Sequence, residues 1–333
     1  MKIAVVGAGA IGGYLGGLLS AADEDVTFIA RGANLEAIRE QGMRVQLEDG
    51  GEVRSRGAVA CATMRDAGPQ DVVLLTVKAH QVGEVAPELH HLCDADTTIV
   101  TMQNGIPWWY FQRHGGEHDG TRVRAADPDG SISRLIDPAR IIGCVVYPAA
   151  VLTAPGVVHV VEGRRFTLGE LDGGTTPRIE ALAGCLVHAG FKAPITDSIR
   201  SEIWLKVWGN LSFNPISALT HATLVDLCQF PLTRELCVAM MREAQAIANA
   251  LGVTFRATIE RRIAGAVKVG AHKTSMLHDL EQGKPLEIQA LVGAVIEMGL
   301  LTGIPTPHID AVYACASLLT KTANGRTVRL GAA

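Results

Sequence analysis

Up to about residue 196 the apolar residues come in short unbroken runs; beyond it they recur at every third or fourth position. KIAVV (2–6), DVTFIA (25–30), DVVLLTV (71–77) and TTIVTM (97–102) have strand length and are rich in β-branched residues. Runs apolar throughout, such as DVVLLTV, suit parallel strands covered on both faces. The sheet is expected to resume at IIGCVVYPAA (141–150), with GVVHVV (156–161) and RFTLGEL (165–171) as two further strands in antiparallel arrangement. TPRIEALAGCLVHAG (176–190) reads as an amphipathic helix, and FKAPIT closes this half. From Ser198 onward no strand pattern appears. The segments 198–213, 233–251, 255–269 and 285–303 have helical spacing, punctuated by Gly252, Gly270, Pro305 and Pro307. The pattern therefore predicts an α/β domain over residues 1–196, an all-α domain over 197–325 and a loose tail over 326–333.

One helix departs from simple amphipathicity. IRSEIWLKVWGNLSFNP (199–215) is apolar over most of its circumference, yet Lys206, Asn210 and Asn214 fall four apart. In an α-helix that spacing places them on one flank, each turned about 40° from the last. A helix apolar nearly all round is buried, and a buried ammonium is costly without a partner. Either this seam is the wet side of the helix, with the asparagines ending it before Pro215, or it faces a polar cavity. Because the helix opens the second domain, its first turns should border the junction with the first.

Composition narrows the class. A chain of 333 residues exceeds what one core usually supports. Hydrophobic content of 48% and charged content of 19% describe an ordinary globular protein. A net charge of −4 gives no reason to expect nucleic acid or an acidic membrane as partner. The seven cysteines are scattered and never form C-x-x-C, which reads as reduced thiols with no metal site. No run of 18 apolar residues suggests a membrane span, and glycines interrupt the apolar start too early for a signal peptide. The expected compartment is the cytoplasm.

The chemistry begins at the first strand. GAGAIGG follows KIAVV directly, and Gly7, Gly9 and Gly12 fit G-x-G-x-x-G between a strand and a helix. Gly7 permits the tight turn, Gly9 lets a pyrophosphate approach the backbone, and Gly12 lets helix and strand pack closely. Ala10 and Ile11 complete the loop, whose helix N-terminus offers amides and a positive dipole end to phosphates. This is the signature of a Rossmann-type dinucleotide-binding domain. Arg31 follows the second strand where an NAD-preferring site carries an acidic residue; a guanidinium there suits a 2′-phosphate, so NADPH is the expected cofactor. Lys78 and Gln81 follow the strand 71–77, and Asn104 follows 97–102, at the carboxyl ends where such sheets bind ligands. After Pro107 the polar, glycine-punctuated segment 108–140 is expected to run over the surface, its WWYF start forming either a pocket wall or buried packing.

Together these features resemble the ketopantoate reductase family. The resemblance spans nearly the whole chain, through GAGAIGG, Arg31, TVKAHQ, QNG, PGVVH, K-x-x-x-N-x-x-x-NP, TSMLHD and LEIQALVG. It implies a Rossmann domain followed by a helical domain, with NADPH and a 2-oxo acid as ligands. It further implies Lys206 as the acid that protonates the ketone and Glu287 as the second catalytic group, also near the cofactor. Asn104, Asn210, Asn214 and Ser275 would bind substrate, with Asn104 also lining the nicotinamide. Arg31 and Lys78 would grip the cofactor. The expected reaction is reduction of ketopantoate to pantoate; the rivals are a paralogue acting on another oxo acid and a non-catalytic NADP(H) sensor. A homodimer is the candidate assembly. The chain departs from the family pattern at Gln289, where an aspartate is common, and in the length of 108–140.

Overall fold

The computed structural model describes residues 1–325; the tail expected over 326–333 lies outside them. The chain forms two compact units. One comprises 1–103, 109–122 and 129–199; the other comprises 104–108, 123–128 and the chain from 200 onward.

The strands of the first unit are β1 (Lys2–Val6), β2 (Asp25–Ile29), β3 (Arg44–Gln46), β4 (Glu52–Arg54), β5 (Val59–Cys61), β6 (Val72–Leu75), β7 (Thr98–Thr101), β8 (Ile141–Val146), β9 (Ala149–Ala154), β10 (Val157–Glu162) and β11 (Phe166–Glu170). Seven of them form one sheet in the order β11-β8-β7-β6-β1-β2-β5. All neighbours are parallel except β11, which runs antiparallel to β8. The chain moves outward from β1 to β2 and β5, then returns to β6 on the other side of β1. That reversal makes the carboxyl ends of β1 and β6 a topological switch point, where open α/β sheets bind ligands.

Its helices are α1 (Ala10–Ala21), α2 (Gly32–Gln41), the short α3 (Met64–Ala67), α4 (Val82–Val85) and α5 (Ser131–Leu135), and α6 (Pro177–His188). A second sheet, β4-β3-β10-β9, accounts for two departures from expectation. The run 141–150 is not one strand: it breaks at Tyr147–Pro148, and β9 joins the second sheet. Pro148 has no N–H for a ladder, so the pairing of β8 cannot continue through it. The strands β10 and β11 likewise lie in different sheets, β10 pairing antiparallel with β9 and parallel with β3.

Helix α1 is held between the two sheets by its glycines. A Cβ on Gly16 would lie 2.4 Å from the Phe28 ring, while one on Gly13 would lie 2.7 Å from Val158 and one on Gly17 2.6 Å from Val45. The doublets Gly12-Gly13 and Gly16-Gly17 thus present small residues to both layers at once.

The helices of the second unit are α7 (Ile199–Thr220, its first residue in the first unit), α8 (Leu224–Gln229), α9 (Pro231–Ala250), α10 (Ile259–Val269), α11 (Ser275–Glu281), α12 (Ala294–Thr302) and α13 (Pro307–Gly325). Helix α7 does not end before Pro215 but runs through it. A proline inside a helix costs on the order of 3 kcal/mol; here Phe213, Ile216 and Ala218 are 3%, 3% and 0% exposed, and burial on both sides of the proline offsets the loss. Helix α13 was not anticipated, and it takes in residues 322–325. No helix among the described residues is long and apolar enough to cross a membrane.

Most of the segment 108–140 does run over the surface, and its aromatic start is the buried packing that was one of its two readings. Trp108, Trp109, Tyr110 and Phe111 are at most 3% exposed. Within the first unit, Trp109 Nε1 donates to Thr101 Oγ1 at 2.8 Å. Within the second, the amides of Arg124 and Ala125 donate to the Glu297 carboxylate at 2.7 and 2.8 Å. The aromatic side chains supply burial, and Glu297 fixes the irregular backbone at 124–125.

Candidate functional site

In the first unit the glycine loop has the shape a dinucleotide phosphate requires. Gly7 has φ +102°, a region only glycine enters freely, and a Cβ there would meet Val77 Cγ1 at 2.8 Å. A Cβ on Gly12 would lie 2.1 Å from the Gly7 carbonyl oxygen and 2.5 Å from Thr76 Oγ1. Gly9, by contrast, has nothing within 4 Å of that position, and it caps α1 without a side-chain hydrogen bond. The start of α1 therefore opens onto free space. The α1 amides can therefore receive a pyrophosphate, with the half-buried Ala10 and Ile11 in the helix's first turn.

Two residues that sequence reasoning passed over hold this loop. Thr76 Oγ1 donates to the carbonyls of Gly7 (2.7 Å) and Val6 (3.0 Å), joining the ends of β6 and β1. Asn34 Nδ2 donates to the Ala8 carbonyl at 2.5 Å while its Oδ1 accepts the Gly156 amide at 2.7 Å. Asn34 follows Arg31 by three residues, and asparagine's paired donor and acceptor were the available signal.

Arg31 is exposed at the N-cap of α2, just beyond β2. Lys78 and Gln81 are half-buried beyond β6. Gln81 Oε1 accepts the Lys78 amide at 3.1 Å, so its acceptor end shapes the turn. Gln103 is structural as well: its Nε2 donates to the carbonyls of Leu75 (2.7 Å) and Val77 (3.0 Å).

The second unit holds the other candidates. Trp204, Trp208 and Leu211 of α7 are fully buried, and Trp208 Nε1 donates to the Met241 carbonyl at 2.6 Å. That packing fixes the rotation of the helix and leaves Lys206 and Asn210 half-buried on its polar seam. Lys206 Nζ donates to Asn104 Oδ1 at 2.5 Å across 102 residues of chain. The amide oxygen of Asn104 is thus one acceptor for this ammonium. Asn214 is 5% exposed. Among the described residues, no protein group hydrogen-bonds the side-chain amides of Asn210 or Asn214.

Glu287 is 7% exposed and lies just before a helix rather than in the first turn of one starting at 285, its carbonyl accepting the Leu291 amide at 3.2 Å. Residues Gln289–Gly293 then form a π-helical turn. Ser275 opens α11 with its side chain exposed, and Thr274 caps that helix by accepting the Leu277 amide. Gln289, the departure from the family pattern, is exposed, and its Oε1 accepts the Tyr313 hydroxyl at 3.0 Å. The structure thus joins Asn104 to Lys206 and sets Asn210 and Asn214 on the same flank, while Ser275 and Arg31 stand at exposed helix starts. Among the described residues no group of His, Cys, Asp and Glu could hold a metal ion.

Comparison with known proteins bears on this arrangement. The family model "Ketopantoate reductase PanE/ApbA" matches residues 3–173, and its C-terminal counterpart matches 198–320. A 2-dehydropantoate 2-reductase of Mesorhizobium japonicum is 53% identical over 316 residues, 94% of this chain and 96% of that protein. The solved 2-dehydropantoate 2-reductase of Geobacter metallireducens GS-15 superposes with a TM-score of 0.84 at 30% identity, covering 96% of this chain and all of its own (100%). A D-mandelate dehydrogenase solved with NADH and anilino(oxo)acetate shares the fold at 22% identity, over 97% of this chain and 99% of its own, with a TM-score of 0.82. The chain belongs to the ketopantoate reductase family, pyridine-nucleotide-dependent oxidoreductases that act on CH–OH groups.

Proposed function

We propose that this chain reduces a branched 2-oxo acid to the 2-hydroxy acid with NADPH, and that the reaction is ketopantoate (2-dehydropantoate) to pantoate, a step of pantothenate biosynthesis. The observation that carries the proposal is the Lys206 ammonium on Asn104 Oδ1 at 2.5 Å, on the polar seam of an otherwise buried helix.

The bound nucleotide supplies the hydride. Everything else is asked of the chain. The amides at the start of α1 bind the pyrophosphate, and Arg31 and Lys78 bind the phosphorylated ribose. Gln81 shapes the turn that presents Lys78. Lys206 donates its proton to the carbonyl oxygen as negative charge develops there. A positioned general acid of this kind contributes roughly 10²–10⁴-fold in rate. Asn104 helps to orient the ammonium, so less orientation is left to find in the transition state. Asn210 and Asn214 offer donors and acceptors to the substrate, Glu287 accepts from its hydroxyl end, and Ser275 donates to its carboxylate.

The test is NADPH consumption with ketopantoate beside other 2-oxo acids, aromatic ones included, each repeated with NADH. Ketopantoate with NADPH should give the highest kcat/KM. Preference for an aromatic oxo acid would make the chain a paralogue, and absence of turnover with every acid would leave a nucleotide sensor. The cofactor assignment has its own check. Arg31→Ala should weaken NADPH binding about tenfold and leave NADH unchanged, since a charge-assisted hydrogen bond at an exposed site is worth roughly 1.5 kcal/mol. Equal weakening of both nucleotides would remove Arg31 from the 2′-phosphate.

A further inference from the structure

The loop after β7 and the turn after Glu287 meet at one point. The Ile106 amide donates to the Ala290 carbonyl at 2.8 Å. At Gly105, with φ +89°, a Cβ would lie 2.3 Å from that oxygen, 2.5 Å from the Ala290 carbonyl carbon and 3.0 Å from its Cβ. Both near atoms are backbone, so no side-chain rotation could relieve the contact. Ala290 lies in the π-helical turn Gln289–Gly293. Such a turn is rare, and it recurs where a helix is deformed to serve a site. This one is held from the other side as well: Gln289 Oε1 accepts the Tyr313 hydroxyl at 3.0 Å, and a Cβ on Gly293 would lie 2.7 Å from that same Oε1.

We propose that Gly105 is a positioning residue for the reaction. Seated on the Ala290 carbonyl, it sets where its neighbour Asn104 presents Oδ1, and so where Lys206 holds its ammonium. It also ties that pair to the turn three residues beyond Glu287. This rests on the proposed role of Lys206. It gives Gln289 a place in the scaffold rather than on the substrate, and it explains why glycine follows Asn104: any other residue would push the loop off the π turn and carry the amide with it.

Gly105→Ala is expected to lower kcat about 100-fold with little change in KM for the oxo acid or in NADPH affinity. The effect should run through Asn104: in a double-mutant cycle Asn104→Ala alone should lose a similar amount, and Gly105→Ala added to it should lose little more. A chain in which the Ile106 amide is replaced by an ester keeps every side chain and should lose about tenfold in kcat, which covers the case of a Gly105→Ala chain too unstable to assay. The Asn104 side-chain amide resonance in the substrate-free protein should shift in both altered chains. An undiminished kcat in both, or losses that multiply in the cycle, would overturn the proposal. Because the resonance needs no substrate, a protein inactive on every oxo acid would refute the function while leaving this geometry readable.

Discussion

Lys206→Ala is expected to lower kcat for 2-oxo acid reduction by about 10²–10⁴-fold, the range of a positioned general acid, while NADPH affinity stays within about twofold, a change of less than 0.5 kcal/mol. Two features separate these outcomes. The Gly7–Gly12 loop with its Thr76 and Asn34 ties, Arg31 and Lys78 all belong to the first unit, whereas Lys206 hydrogen-bonds within the second. The lysine is also only half-buried, on a helix fixed by the burial of Trp204, Trp208 and Leu211, so its loss should leave α7 in place. Lys206→Arg should not restore the rate. A planar, longer guanidinium cannot put one donor 2.5 Å from Asn104 and another on a carbonyl with the geometry of an ammonium. Steady-state kinetics beside a nucleotide titration check both halves; loss of nucleotide affinity in proportion to kcat would assign Lys206 to binding rather than proton transfer.

The second large effect concerns stability. Glu170, at the end of β11, is 1% exposed, and its carboxylate accepts from Arg178 Nε at 2.9 Å and Nη2 at 2.5 Å, and from Thr176 Oγ1 at 2.5 Å. The carboxylate in turn holds the Arg178 guanidinium above its usual pKa. Arg178 also donates to the Ala139 carbonyl at 2.7 Å, tying α6 to the approach to β8. Removing one partner of such a pair strands a charge away from water, which costs about 3–5 kcal/mol when both are buried. Because the Arg178 side chain is 31% exposed, Arg178→Ala should fall near the lower end, about 3 kcal/mol, read from the denaturation midpoint. Glu170→Gln should cost less, since the neutral amide leaves no bare charge behind. A midpoint unchanged in Arg178→Ala would show that water reaches Glu170.

The two regimes of hydrophobic spacing carried the architecture, since unbroken runs such as DVVLLTV have few alternatives to a covered parallel strand. The second sheet was hidden for a physical reason: β3 and β4 are three residues each and carry charged side chains, and β3 pairs with β10, more than a hundred positions away. The break at Pro148 was visible as a residue but not as a change of sheet. The polar seam of Lys206, Asn210 and Asn214 was legible because one helix carries them at its own period. The Lys206–Asn104 contact was not, because it joins segments 102 residues apart and no local pattern encodes such a meeting. The same is true of Gly105 on Ala290: QNG shows a glycine but not the carbonyl that excludes a Cβ. Asn34 was missed because its work is to hold backbone, which leaves no period or motif, and Thr76 stood inside TVKAHQ with no role legible from the letters alone. In the 108–140 segment the polar composition showed the surface course, but not which of its two readings the WWYF cluster takes, which is buried packing.

A single-turnover experiment tests the role of Lys206 most directly. Enzyme saturated with NADPH is mixed with ketopantoate, and nucleotide fluorescence is followed for the natural chain and for Lys206→Met, whose unbranched side chain fills a similar volume without a proton to give. The natural chain should consume one nucleotide per site rapidly, and the variant should bind the nucleotide as tightly yet consume it at least 100-fold more slowly, the lower end expected of general-acid catalysis. Equal rates in the two proteins would contradict the assignment of Lys206 as the proton donor.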